Sequence, residues 1–225
     1  GVELRNASTA VDLGVSGCAG FGIVLGQNST AMHSRLTSNA AGGIATGTDC
    51  IIQSCSALSN GGGGILAFNG CAVLDCTAHF NTGNGISTGH TSTISRCSSV
   101  DNTMSGFSFG SSCTVSDCAA SFNDSNGFTG LDGVAIANST AASNFADGFN
   151  VANGAHVSYC TARLNSSTGF SMQSGSTIKE CSAYDNNGAG ISGSTGTLVS
   201  GCSAYNNTLD GIRVLSRCTI VENNC

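Results

Sequence analysis

An all-β solenoid built from 21-residue coils is the fold this 225-residue chain predicts, and three observations carry it. Glycine recurs at one spacing without a slip, from Gly1, Gly22 and Gly43 through Gly64, Gly85 and Gly106 to Gly211, each time followed by a branched or aromatic residue such as Val2, Ile23, Ile65, Phe107 or Ile212. Nine residues after the glycine runs an unbroken β-branched column, Ile52, Val73, Ile94, Val115, Ile136, Val157, Ile178, Val199 and Ile220. Asparagine fills a third column in nine consecutive units, from Asn39, Asn60 and Asn81 to Asn207. A period of this length, with no 3.6-residue pattern inside it, restricts the chain to β-coils and excludes helical repeats.

The columns define the elements of each coil. β-branched residues suit a buried pleated strand, so Ile52 and its equivalents are core. A small-residue column follows three residues later (Ser34, Cys55, Cys76, Cys97, Cys118, Ser139, Cys160, Cys181, Cys202), and a largely alanine column two residues beyond it (Ala57, Ala78, Ala120 and onward). Alternate positions therefore point inward, as strands require. Parallel strands lie ~4.8 Å apart, a spacing at which one side-chain amide donates to the next, so the asparagine column predicts a ladder.

Ile94, Cys97, Ser99 and Asn102 also reproduce the spacing of a leucine-rich repeat. That repeat fills a wide arc with leucine, whereas alanine and cysteine occupy the arc here and imply a thin, flattened coil. The pattern Ile-x-x-Cys-[Ser/Thr]-Ala-x-x-Asn-x-x-x-Gly-[Ile/Phe], as in residues 52–65 and 178–191, resembles the right-handed parallel β-helix repeat of the pectate-lyase-like superfamily. The resemblance extends over essentially the whole chain. It implies a right-handed parallel β-helix of about ten to eleven rungs, and it specifies fold far better than activity.

Residues 1–225 are expected to form a single domain, a rod of about 50 Å at one strand spacing per coil. No linker divides it, and the absence of proline suits uninterrupted ladders. The chain starts at a repeat boundary and stops within a unit, so further β-helix repeats of a longer chain are expected to adjoin it. Charged residues are 9% of the composition and the net charge is −6, with no basic stripe, which argues against a nucleic-acid partner. No apolar run suggests membrane insertion.

The thirteen cysteines fall mostly in two inward columns, seven in the Cys55 column and four (Cys50, Cys71, Cys113, Cys218) in another. Cysteine acts as a small hydrophobe in a tight core, and Cβ atoms one rung apart at ~4.8 Å sit wider than the roughly 3.8 Å a disulfide favours. Ladder neighbours are expected to stay reduced. The pairs Cys50/Cys55, Cys71/Cys76 and Cys113/Cys118 share a rung and leave a bridge open as an alternative. No zinc site is expected from thiols strung along an axis.

The best polar constellation lies eleven residues after the glycine, where consecutive rungs carry Asp75, Arg96 and Asp117, with Tyr159 and Glu180 further on. Asp75 and Asp117 fall two rungs, or about 9.6 Å, apart, a separation that suits an inverting carboxylate pair. Enzymes of the resembled superfamily use acidic residues and arginine on the outer face of neighbouring coils, so these three are the catalytic candidates. The competing reading, favoured here, is a noncatalytic charge ladder. His33, His79, His90 and His156 lie in four different columns, and Asp101, Asp124, Asp147, Asp185 and Asp210 are scattered, so neither a metal site nor a cofactor site is expected.

The expected function is a noncatalytic, secreted or cell-surface β-solenoid, structural or carbohydrate-binding, with polysaccharide as the partner. The alternative is a polysaccharide lyase or hydrolase. A third reading, ice binding, draws on Thr30, Thr93/Ser95 and Thr114/Ser116, a face interrupted by Ile51, Leu74, His156 and Lys179.

Overall fold

The computed structural model describes residues 1–225 and contains strands and turns with no helix. Each coil contributes one short strand to each of three parallel sheets. The coil that begins at Gly85, for example, places Ile86–Thr88 in sheet 1, Thr93–Ser95 in sheet 2 and Ser98–Val100 in sheet 3. Sheets 1 and 2 have eleven strands and sheet 3 has ten. The register is the sequence period itself: Ile65 pairs with Ile86, Val73 with Ile94 and Ala78 with Ser99.

Which residue of a strand turns inward differs between sheets. In sheets 2 and 3 the middle residue is buried, as in Ala72–Leu74 and Thr77–His79, whereas in sheet 1 the two outer residues are buried and the middle one faces out, as in Ile86–Thr88. The β-branched column is therefore the single inward position of sheet 2 and the alanine column that of sheet 3. The residue after each glycine is the first inward position of sheet 1. There Phe107, Phe128, Phe149 and Phe170 form a continuous stack with ring centroids 4.8, 4.6 and 4.8 Å apart. Rung spacing imposes this near-parallel stacking, which side-chain preference alone would offset.

Glycine, alanine and asparagine columns are one packing unit. A Cβ built on Gly64 would lie 2.6 Å from the carbonyl oxygen of Gly85, 2.8 Å from Nδ2 of Asn81 and 2.9 Å from Cβ of Ala78. Only a residue without a side chain lets the backbone pass the ladder this closely. Asparagines 39 to 186 of the ladder are buried, and each Nδ2 donates to Oδ1 of the next at 2.9–3.1 Å. Ser99, which stands in the alanine column, keeps its hydroxyl satisfied by donating to the Gly106 carbonyl at 2.7 Å and accepting from Asn102 Nδ2 at 3.0 Å.

All thirteen cysteines are free thiols, ten of them buried. Their columns do more than fill space. The N–H of Cys50 donates to Sγ of Cys71 at 3.4 Å, and that of Cys76 to Sγ of Cys97 at 3.4 Å. Serine takes over the same duty within the same columns: Cys71 N–H donates to Ser92 Oγ and Cys118 N–H to Ser139 Oγ, both at 3.2 Å. The thiol or hydroxyl thus satisfies a corner N–H that the parallel ladder misses.

Corners are made by single residues in the left-handed region. Three lie in each complete coil at five-residue intervals, illustrated by Thr91 (φ 55°), Arg96 (φ 53°) and Asp101 (φ 52°). The left-handed residue turns the chain while its N–H still reaches the next coil, as from Arg96 to the Ser116 carbonyl at 3.1 Å. For a residue with a Cβ the conformation costs roughly 1 kcal/mol, which the surrounding ladders offset.

Candidate functional site

Asp75, Arg96 and Asp117 occupy the second of these corners, between sheets 2 and 3, with φ of 54°, 53° and 56°. They are turn residues, not strand residues, and the left-handed corner throws each side chain outward. Arg96 grips Asp75 with two parallel bonds, Nε to Oδ1 at 2.7 Å and Nη2 to Oδ2 at 3.0 Å, while its Nη1 donates to Ser95 Oγ at 3.2 Å. This fork geometry is the strongest form of the pair. Hydrogen bonding to Arg96 holds the Asp75 carboxyl below the usual carboxylate range, and the same pairing raises Arg96.

The expected alternating ladder is therefore only half built. The ion pairs of the chain are His33–Asp12, Arg96–Asp75 and Lys179–Glu180, and Asp117 takes part in none. A planar guanidinium that forks onto one carboxylate has spent its two best-aimed donors, so the second carboxylate, on the far side, is left to solvent. The Arg96 and Asp75 side chains are 56% and 35% exposed, and Asp117 is exposed. Chemically the trio offers one neutralised carboxylate and one solvated carboxylate. Tyr159 stands exposed in the same corner column, and Glu180 pairs with its sequence neighbour Lys179 at 3.3 Å.

The histidines stay apart, as their columns require. His33 faces Asp12 at 3.7 Å, His90 accepts the Ser111 N–H through Nδ1 at 2.9 Å, and His156 is exposed on sheet 2. His79 packs edge-on to Phe80 with ring centroids 6.4 Å apart, and its Nε2 is buried without a partner. No group of three or more His, Cys, Asp or Glu side chains is arranged to hold a metal ion. A cavity of about 390 Å³ lies against the first coils of sheet 3, lined by Gly14, Val15, Ser16, Arg35 and Thr37, and includes none of the sequence candidates. On sheet 2, Thr93 and Thr114 face solvent, whereas Ser95 is buried and accepts from Ser116 Oγ at 3.1 Å, so the ice-binding face lacks one of its expected hydroxyls.

One polar arrangement escaped the sequence reading. On the outer face of sheet 1, Asn126 Nδ2 donates to Thr129 Oγ1 at 3.1 Å, Ser105 and Thr129 hydroxyls meet at 3.2 Å, and Asn150 Nδ2 donates to Asp147 Oδ2 at 3.2 Å. Its signal was the residue just before each glycine, polar from Asn84 to Thr168 (Asn84, Ser105, Asn126, Asp147, Thr168). That column flanks the repeat boundary and passes for turn chemistry.

A family model described as a right handed beta helix region matches residues 128–225. No curated protein matches the chain in sequence. Among solved structures, the chain is similar to the A-modules of the mannuronan C-5 epimerases AlgE4 and AlgE6 of Azotobacter vinelandii, each with a TM-score of 0.65. Identities are 11% and 13%; both likenesses cover 99% of this chain, and 86% and 90% of those chains. The pectate lyase Pel9A is similar over 94% of this chain and 64% of its own, at 15% identity and a TM-score of 0.59. At such identities the likeness is one of fold, and with the three in-register sheets, the asparagine ladder and the repeat model matched over part of the chain it gives one conclusion: the chain folds as a right-handed parallel β-helix.

Proposed function

We propose that this β-helix is a noncatalytic, secreted or surface-displayed solenoid that binds polysaccharide along its outer faces. The observation that supports it best is the state of the one charged constellation: Asp75 is tied up by Arg96 on an open corner, and single-residue corners raise no wall around the pair. Catalytic carboxylates work in sites that exclude water and tune their pKa toward the reaction, and here Arg96 drives Asp75 the other way, away from service as a general acid. Small polar side chains in rows suit repeated hydroxyl recognition instead. The fold neighbours, a mannuronan C-5 epimerase and a pectate lyase, support the same class of partner.

A lyase or hydrolase centred on Asp75, Arg96 and Asp117 is the second reading, favoured by the Asp75–Arg96 fork and the proximity of Asp117. Incubating the protein with neutral and uronic-acid polysaccharides separates the two. Binding in affinity electrophoresis with no new reducing ends and no ultraviolet-absorbing product supports the noncatalytic reading. Turnover that the double change Asp75→Asn/Asp117→Asn abolishes, with the fold intact, overturns it.

A further inference from the structure

The third corner of the coil, where the chain leaves sheet 3 for sheet 1, carries side chains that its backbone does not favour. Its left-handed position holds short polar residues in most coils, as at Ser59, Asp101, Ser143 and Asp185, and these are at home in a solvated turn. Phe80, Phe122 and Leu164 take the same position at φ of 56°, 56° and 57°. A bulky residue there is unusual, and an observed outlier of this kind points to function.

The three belong to a longer row. From the coil that begins at Gly64 to the one that begins at Gly148, every coil sets one large apolar side chain on this turn, in the order Phe80, Met104, Phe122, Phe145 and Leu164. All five are 49–66% exposed. Met104 and Phe145 stand two or three residues beyond the corner, so the row zigzags between two lines. It also ends cleanly: the same turn positions hold Ser59, Gly61 and Gly62 on the coil before the row and Asp185, Asn187 and Gly188 on the coil after it.

Rung height selects the partner. The core ring stack places successive rungs 4.6–4.8 Å apart, and the row advances one side chain per rung. A helix laid along it would present a turn every ~5.4 Å, and a strand one facing side chain every ~6.8 Å, so both fall out of step within the row. A second copy of this chain keeps step at every rung. The short corner residues Asp101 and Ser143 leave gaps between Phe80, Phe122 and Leu164 that its side chains can enter.

Charge sets the direction. Asp101 lies near one end of the row, and Arg163, next to Leu164, lies at the other. Two copies side by side in the same direction would set Asp101 against Asp101. In the antiparallel arrangement Asp101 of each copy faces Arg163 of the other, Met104 faces Leu164, and Phe122 faces Phe145. Complementary charge favours that arrangement and like charge disfavours the first. Five half-exposed side chains supply about 500 Å² of apolar surface per copy and about 1,000 Å² for the pair, the size at which specific interfaces begin.

We propose that the turn edge from Phe80 to Leu164 is a self-association surface, on which two copies of the chain pack side by side and antiparallel about a two-fold axis. The contact is isologous, so it closes at a dimer.

Sedimentation velocity of the full chain over a concentration series tests this, with circular dichroism to check that each variant is folded. A monomer–dimer equilibrium is expected. Phe122→Asp and Phe145→Ser install residues that neighbouring coils already carry at those positions, Asp101 and Ser166, and each should weaken dimerisation at least about tenfold. Asp101→Arg and Arg163→Asp should each weaken it, and the two together should restore it. A chain that is monomeric at every concentration overturns the proposal, whether the row then binds an amphipathic peptide or nothing. Dimers indifferent to both phenylalanine variants, or assemblies larger than a dimer, overturn the surface. Dimers that the phenylalanine variants weaken but the paired charge exchange does not restore overturn the antiparallel arrangement.

Discussion

Asn81 donates to Oδ1 of Asn102 twice, through its side-chain Nδ2 and through its backbone N–H, each at 3.0 Å. One buried oxygen on one coil therefore closes two donors of the coil before it. The same double acceptance recurs rung after rung, so the asparagine column is a second, side-chain ladder that carries the chain around the tight bend into the glycine.

Replacing Asn102 with leucine removes that oxygen, orphans the backbone N–H of Asn81 and leaves its Nδ2 only the Ala57 carbonyl. Each buried group left without a partner costs roughly 1–3 kcal/mol. Asn123 Oδ1 loses the Asn102 Nδ2 donor as well and keeps only the backbone N–H of residue 102. A clear fall in the denaturation midpoint is expected in urea titrations, and an unchanged midpoint would refute a structural role for the ladder.

Two glycines separate close approach from backbone strain. Gly64→Ala drives a methyl against the Gly85 carbonyl and the neighbouring Ala78 Cβ, whereas Gly154, at φ +66°, has nothing within 4 Å of its would-be Cβ. Overpacking against backbone costs about 1–3 kcal/mol, and a left-handed alanine roughly 1 kcal/mol. Melting measurements should rank Gly64→Ala as the more damaging change. The reverse order would mean that the repeat glycine serves something other than coil contact.

Thiol titration of the native protein should proceed in classes. Exposed Cys225 reacts first, half-buried Cys18 and Cys218 next, and the ten buried cysteines only on unfolding. Several buried thiols are also poor nucleophiles: burial raises Cys71, contact with Cys160 and burial push Cys181 up to about 12, and contact with Cys181 and burial raise Cys202, whereas hydrogen bonding to Cys76 and to Cys118 lowers Cys55 and Cys97, whose protection rests on burial alone. Rapid reaction of ten or more thiols without denaturant, or several disulfides in unreduced peptide maps, would contradict this.

The Asp75–Arg96 pair sets a direction for pH dependence. Hydrogen bonding to Arg96 depresses the Asp75 pKa, so the folded state favours the ionised carboxylate. Its contribution is complete above the ordinary carboxylate range and is lost as the pH falls through the lowered folded value. Exposure and salt keep the effect small. Asp75→Asn should flatten this part of the acid stability profile slightly, and the difference from wild type should shrink in high salt. Asp117→Asn, which breaks no ion pair, should leave the profile alone; an equal or larger effect from it would show that Arg96 serves both carboxylates in solution.

Coil length, register and the inward columns were legible in the sequence because in-register stacking converts a period of 21 residues directly into neighbours in space. Ile94 lies between Val73 and Val115 in the list of columns and in the sheet alike. Each inward position is confined by the coils above and below, so its chemistry repeats and can be read. The corners could not be read in this way. The left-handed position of the second corner accepts Ser54, Asp75, Arg96, Asn138, Tyr159 and Glu180, because its side chain points into water and only the backbone is constrained. Tertiary structure alone decided that Arg96 would choose Asp75 over Asp117, and that thiols and hydroxyls would share the capping of corner N–H groups. It alone turned Asn126, Asp147 and Asn150 into one oriented strip. Those outcomes depend on where single polar atoms point after the coils have stacked, and a repeat in residue type fixes the height of a side chain on the rod but not the aim of its last bond.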